Sequence, residues 1–157
     1  MGKSKNFQNI REIIEFSAKQ YENNLAFKLK KKINGKYSYD DITFKRLQEE
    51  IKAFSKYLIA NGYHNKRIAV IGKNSYEWML VFLSALCSGA VIVPLDKGLL
   101  PFEIKEQLER SDADIVFYAK HLEESFAEID NIPKIALESP EFSEILKTGF
   151  TLDNDKD

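Results

Sequence analysis

The chain is sparing with the residues that most often signal chemistry. Its 157 residues include one cysteine, Cys87, and two histidines, His64 and His121. A lone cysteine excludes an internal disulfide framework, and with histidines so few and so far apart a Cys/His metal site is not expected. Charge of one sign is also lacking. Twenty-three basic and 24 acidic side chains leave a net charge of -1, which gives no electrostatic case for nucleic acid or anionic membranes. Glycine is too thin for a dinucleotide fingerprint, since no two of the seven stand two apart. The N-terminus, MGKSKNFQNI, has no apolar signal core, and Asn6 stands where a myristoylation motif needs Ser or Thr. A cytoplasmic protein is the expectation, with peripheral membrane association left open.

One uncharged run does reach the length of a membrane span: the 18 residues Trp78–Leu95, WMLVFLSALCSGAVIVPL. Local signals divide it. Asn74 is a plausible N-cap with Glu77 three residues on, approximating a capping box, and Gly89 stops the helix. The rest, Ala90–Leu95, is a β-branched strand, and Arg67–Gly72 upstream is another. The stretch reads as a strand–helix–strand unit, with no transmembrane segment.

Elsewhere the periodicities are clear. Residues 9–21 predict an amphipathic helix. Asn34-Gly35 between two alternating segments, 25–33 and 36–42, predicts a hairpin. Thr43 caps a predicted helix over 44–61, closed by Gly62, and Pro101 opens another to about Ser111. Strands are expected at 114–118 and 134–137, with a short helix at 121–129 between them. The fold class is α/β: three layers, a mainly parallel sheet with helices on both faces, plus an N-terminal β-hairpin. From Pro140 the pattern weakens, and 151–157 reads as a disordered tail.

No catalytic constellation emerges. IGKNS at 71–75 fails as a P-loop, because Arg67 stands where the first glycine belongs and Asn74 follows Lys73. Asp96, at a strand end, lacks the neighbouring acidic pair of a phosphorylation site. The KLKKK segment, 28–32, fits lysines that guard an exposed strand edge better than a polyanion patch. Asp40-Asp41, Glu49-Glu50 and Glu123-Glu124 read as solvated charge, and Cys87 as a small apolar core residue. One oddity persists: from Trp78 to Cys87 the helix is apolar on nearly every side, Ser84 being the clear exception. Such a helix calls for a covering partner.

The segments ITFKRLQEEIKAFSKYLIANG, RIAVIGKNSYEWMLVFLSALCSGAVIVPLD and LLPFEIKEQLERSDADIVF carry a resemblance. With Thr43-Phe44, Asn74-Ser75-Tyr76-Glu77-Trp78, Gly89-Ala90 and Val93-Pro94-Leu95-Asp96 in this order and spacing, the chain resembles the N-terminal region of AMP-forming acyl-CoA synthetases. These belong to the adenylate-forming ligases, and the long-chain fatty acid branch is the most similar. The resemblance covers roughly residues 10 to 150. It implies ligation of a fatty acid to CoA through an acyl-adenylate, with ATP, Mg and CoA as cofactors of a larger parent. The family's Ser/Thr/Gly-rich loop ending Pro-Lys-Gly, its Thr-Glu, its ribose-binding Asp and its C-terminal Lys have no counterpart in this sequence. No catalytic, cofactor-binding or metal residue is therefore expected here. The implied reading is a fragment, residues 1–150 forming an N-terminal subdomain that is inactive alone and binds no cofactor itself. Its partner would be the rest of the parent chain, with self-association through the 78–87 helix when isolated. The alternatives are an independent interaction module derived from such an enzyme and, less favoured, a stand-alone nucleotide-binding protein.

Overall fold

The computed structural model describes residues 5–154. Two compact units divide the chain between Glu50 and Ile51.

The first unit opens with α1, Ile10–Gln20, where the Asn9 side chain accepts the Glu12 amide and caps the helix. The hairpin follows as β1, Leu25–Ile33, and β2, Lys36–Thr43. Asn34 and Gly35 take φ of 51° and 79°, the pair of positive values that a two-residue turn needs to match the strand twist. The register pairs Ile33 with Lys36, Lys32 with Tyr37 and Lys30 with Tyr39. Alternation then places Lys28, Lys30, Lys32, Tyr37 and Tyr39 on one face. α2, Phe44–Ala60, starts where the Thr43 hydroxyl accepts the Arg46 amide, as the sequence indicates.

From Ile51 onward the chain builds one parallel sheet of four strands, ordered β4-β3-β5-β6. These are β3, Arg67–Ile71; β4, Val91–Leu95; β5, Ile115–Tyr118; and β6, Lys134–Ala136. The connecting helix α3, Tyr76–Cys87, carries the chain from β3 to β4, and α4, Pro101–Arg110, carries it back across β3 to β5. Right-handed crossovers running in opposite directions place their helices on opposite faces, so both faces are covered. On one, Ala69, Ile71, Val116 and Tyr118 pack against Ile104 and Leu108 of α4 and Phe126. On the other, Phe117 meets Phe54 of α2 and Phe142 of α5, Pro140–Asn154, in a three-ring cluster with centroids 5.3–6.2 Å apart. Pro94 is tolerated because β4 is an edge strand, where a missing ladder donor costs nothing.

Three local expectations shift. The N-cap of α3 is Ser75, not Asn74: the Ser75 hydroxyl accepts the Trp78 amide at 3.1 Å. The segment expected as a helix over 121–129 is a 3₁₀ helix, Lys120–Phe126. And α5 runs on through 151–154, four residues of the expected disordered tail; 155–157 lie outside the described residues. No helix among the described residues is long and apolar enough to cross a membrane.

Candidate functional site

In an open parallel sheet, ligands sit outside the carboxyl ends of the strands where the connections diverge. Here that point lies between β3, whose chain leaves toward β4, and β5, whose chain leaves toward β6. The two strand ends meet closely. The Ala119 amide donates to the Ile71 carbonyl at 2.9 Å, and a Cβ on Gly72 would stand 2.7 Å from that of Ala119. Gly72 also takes φ of +155°, so no other residue serves well there.

The loops around this crevice are occupied with their own structure. Lys73 and Asn74 are exposed, while the Ser75 hydroxyl is spent on capping α3. The Asp96 carboxylate accepts the Gly98 amide at 2.7 Å, a tight local turn that accounts for an acid at the end of β4. After β5, the Lys120 amide donates to Glu138 Oε2 at 2.7 Å, joining the ends of β5 and β6. Burial pushes the Tyr118 phenol upward in pKa, helped by Glu123 and Glu141, and its ring stacks on Phe126 at 4.4 Å. The crevice is thus lined by backbone and helix starts. Ala119 fills the space beside Gly72. Among the described residues no cluster of His, Cys, Asp and Glu could hold a metal ion.

The other candidates are dispersed. His64 Nδ1 lies 2.8 Å from the Ser88 carbonyl, and its ring sits where a Cβ on Gly89 would fall, so it fastens the end of α3. Cys87 is buried. His121 is exposed on the 3₁₀ helix, and Glu124 lines an open groove with Phe102, Lys105 and Glu128. In the first unit, Arg46 bridges two carboxylates, donating to Asp40 at 2.7 Å and to Glu50 at 2.8 Å. The bond from Arg46, then that from Lys31, lowers the Asp40 carboxyl to a pKa of about 2. These are ion pairs within the first unit.

What sequence reading did not anticipate is the orientation of α3. Ser84, the one clear polar residue between Trp78 and Cys87, is fully buried: its Oγ faces the Ile51 carbonyl at 3.4 Å, and its own carbonyl accepts the Ser55 hydroxyl at 3.1 Å. Trp78, Met79, Phe82, Leu83 and Leu86 instead form the partly exposed side, with Trp78 and Phe82 stacked at 5.3 Å. The helix is turned with its polar atom inward and its largest apolar groups outward. Only contacts across the chain reveal this, because an all-apolar helix carries no periodic signal to orient it.

Comparison with known proteins follows the same lines. The sequence profile of the family described as "AMP-binding enzyme" matches residues 14–156. The chain is 28% identical over 89 residues to the Bacillus subtilis (strain 168) protein named "Putative acyl--CoA ligase YdaB", covering 56% of this chain and 18% of that one. It is 28% identical over 118 residues to tyrocidine synthase 3 of Brevibacillus parabrevis, covering 74% of this chain and 2% of that one. Among solved structures, the fatty acyl-adenylate ligase from L. pneumophila superposes with a TM-score of 0.70 at 22% identity, over 93% of this chain and 25% of that one. The chain therefore spans a quarter or less of the length of each of these proteins.

Proposed function

Starting from the fact that the chain belongs to the AMP-binding enzyme family over residues 14–156, we propose that it forms the N-terminal scaffold of a long-chain fatty acid–CoA ligase. In that reaction the fatty carboxylate attacks the α-phosphorus of ATP, releasing pyrophosphate and giving an acyl-adenylate. The CoA thiol then attacks the acyl carbon, the thioester forms, and AMP leaves. The likeness to YdaB supports an acyl substrate and CoA as acceptor. The share of its relatives that the chain spans supports a supporting role within a larger enzyme.

On this reading the residues described contribute no catalytic, nucleotide-binding or metal-binding side chain. ATP, Mg and CoA would be held by other parts of the parent, which works in the cytoplasm. The four-stranded sheet supplies rigidity, and the outward apolar side of α3 receives the rest of the parent. Catalysis in this class rests on preorganised donors around the transferring phosphate, and on this reading they come from other parts of the parent. With ATP, fatty acid and CoA added, the 157-residue polypeptide should release no AMP. Measurable AMP and acyl-CoA would overturn the scaffold assignment.

A second reading, an independent interaction module, is favoured by one observation: the apolar side that α3 turns outward. The reading frame beyond Asp157 separates the two. Continuation into a Ser/Thr/Gly-rich loop ending Pro-Lys-Gly supports the ligase, and a natural stop supports the module.

A further inference from the structure

We propose that the β1–β2 hairpin is an adsorption surface for anionic lipid bilayers. The lysines of the KLKKK segment do more than line a strand edge. Strand alternation gathers Lys28, Lys30 and Lys32 on the face that also carries Tyr37 and Tyr39. Lys30 Nζ lies 3.9 Å and Lys32 Nζ 5.7 Å from the Tyr37 ring centre, and Lys28 Nζ lies 5.4 Å from that of Tyr39. These contacts hold the ammonium groups upright over aromatic rings that are themselves exposed, Tyr37 at 61% and Tyr39 at 58%.

Charge on the hairpin is unevenly compensated. Asp41 stands 4.0 Å from Lys28, and Asp40 is taken by Arg46 and Lys31. Lys30 and Lys32 on this face, and Lys36 on the other, have no carboxylate partner within 4 Å among the described residues, so the tip half of the hairpin is cationic on both sides. At the tip itself Ile33, paired with Lys36 on the other face, is 58% exposed and accessible to a surface met tip-first.

That combination selects a lipid surface over nucleic acid. A polyanion in solution has use for the lysines and the tyrosine rings, but none for an aliphatic side chain at the tip. A bilayer has use for all three: anionic headgroups for the ammonium groups, the interfacial zone for tyrosine, and the acyl boundary for Ile33. The chain's overall charge of -1 offers no general attraction to either polyanion, so binding rests on this local patch.

Sedimentation with phosphatidylcholine vesicles, with and without phosphatidylserine, tests this on the whole polypeptide. Binding should require phosphatidylserine and weaken as salt rises. A lysine near such a surface contributes roughly fivefold to partitioning, so Lys30→Ala with Lys32→Ala should lower it about 25-fold. Tyr37→Ser should lower it further, and far-UV circular dichroism should be unchanged throughout. Absence of phosphatidylserine-dependent binding, or equal binding by the double variant, would overturn the proposal. So would tighter retention by single-stranded oligothymidine than by vesicles at equal phosphate concentration. No outcome depends on ligase turnover, so this inference and the proposed function stand or fall separately.

Discussion

Gly149 sits in α5 at the position where ordinary helix energetics and packing make opposite demands. Replacing a glycine inside a helix with alanine normally gains about 1 kcal/mol, because the backbone loses less freedom on folding. At residue 149 the added methyl has nowhere to go. Its Cβ would stand 2.5 Å from the carbonyl carbon of Ala53 and 3.0 Å from its Cα, both backbone atoms of α2. No rotamer change can relieve contact with backbone. The two helices must separate, in the layer where Phe54 and Phe142 already touch at 5.3 Å. Overpacking of this sort costs roughly 1–3 kcal/mol, and more when the neighbour cannot yield. We expect Gly149→Ala to destabilise by about 1–2 kcal/mol net of the propensity gain. For a domain of this size that lowers Tm by about 2–4 °C per kcal/mol. Urea unfolding followed by circular dichroism reads the change, with exposed Ser143→Ala as the reference for propensity alone, expected to stabilise slightly. A higher midpoint for Gly149→Ala than for the parent would show that α5 is not seated on α2.

Two other substitutions probe the remaining features. Ser84→Leu, which raises the helix's apolar content, should nonetheless destabilise by about 1–3 kcal/mol, since Ser84 is fully buried against α2; Phe82→Ser on the outward side should cost less and reduce aggregation in light scattering. The reverse ranking would mean that α3 is rotated. Asp40 titrates at about 2 in the fold against 3.8 for a free carboxyl. Its ion pair with Arg46 is therefore complete above pH about 4 and is lost as pH falls through about 2. Nuclear magnetic resonance titration of Arg46→Ala should show Asp40 moving up toward its ordinary value, and an unchanged midpoint would remove Arg46 as the cause.

Much of the architecture was legible because it is written in short-range signals. Asn34-Gly35 sets the turn, and the alternation on either side assigns residues to a face from Phe27 to Ile42, beyond which the register shifts. Thr43, Gly62, Gly89 and Pro101 punctuate helices whose apolar stripes recur with helical spacing. The errors were of two physical kinds. Asn74 and Ser75 are adjacent residues of equal capping ability, and only the hydroxyl's reach to the Trp78 amide separates them. α5 is anchored by tertiary contact in a segment whose composition alone reads as weak: Phe142, Ile145 and Gly149 line its buried side. The crevice was less legible still. Strand order is not local information, so nothing in the sequence announces that Gly72 and Ala119 lie side by side.

The strand order has a further consequence for how the chain comes to be folded. β3 pairs on one edge with β4, which follows it after a single helix, and on the other with β5, which follows only after β4 and α4. During synthesis the β3–α3–β4 unit is complete while the partner of Ile68 on that second edge, Ile115, has yet to be made. The strand destined for the centre of the sheet thus spends its early life as an open, wholly apolar edge, with Ile68, Ala69, Val70 and Ile71 presenting unpaired amides and carbonyls to any strand that reaches them. Parallel pairings across such long separations form slowly. The vulnerable moment in the life of this fold is its assembly, and it ends when β5 arrives.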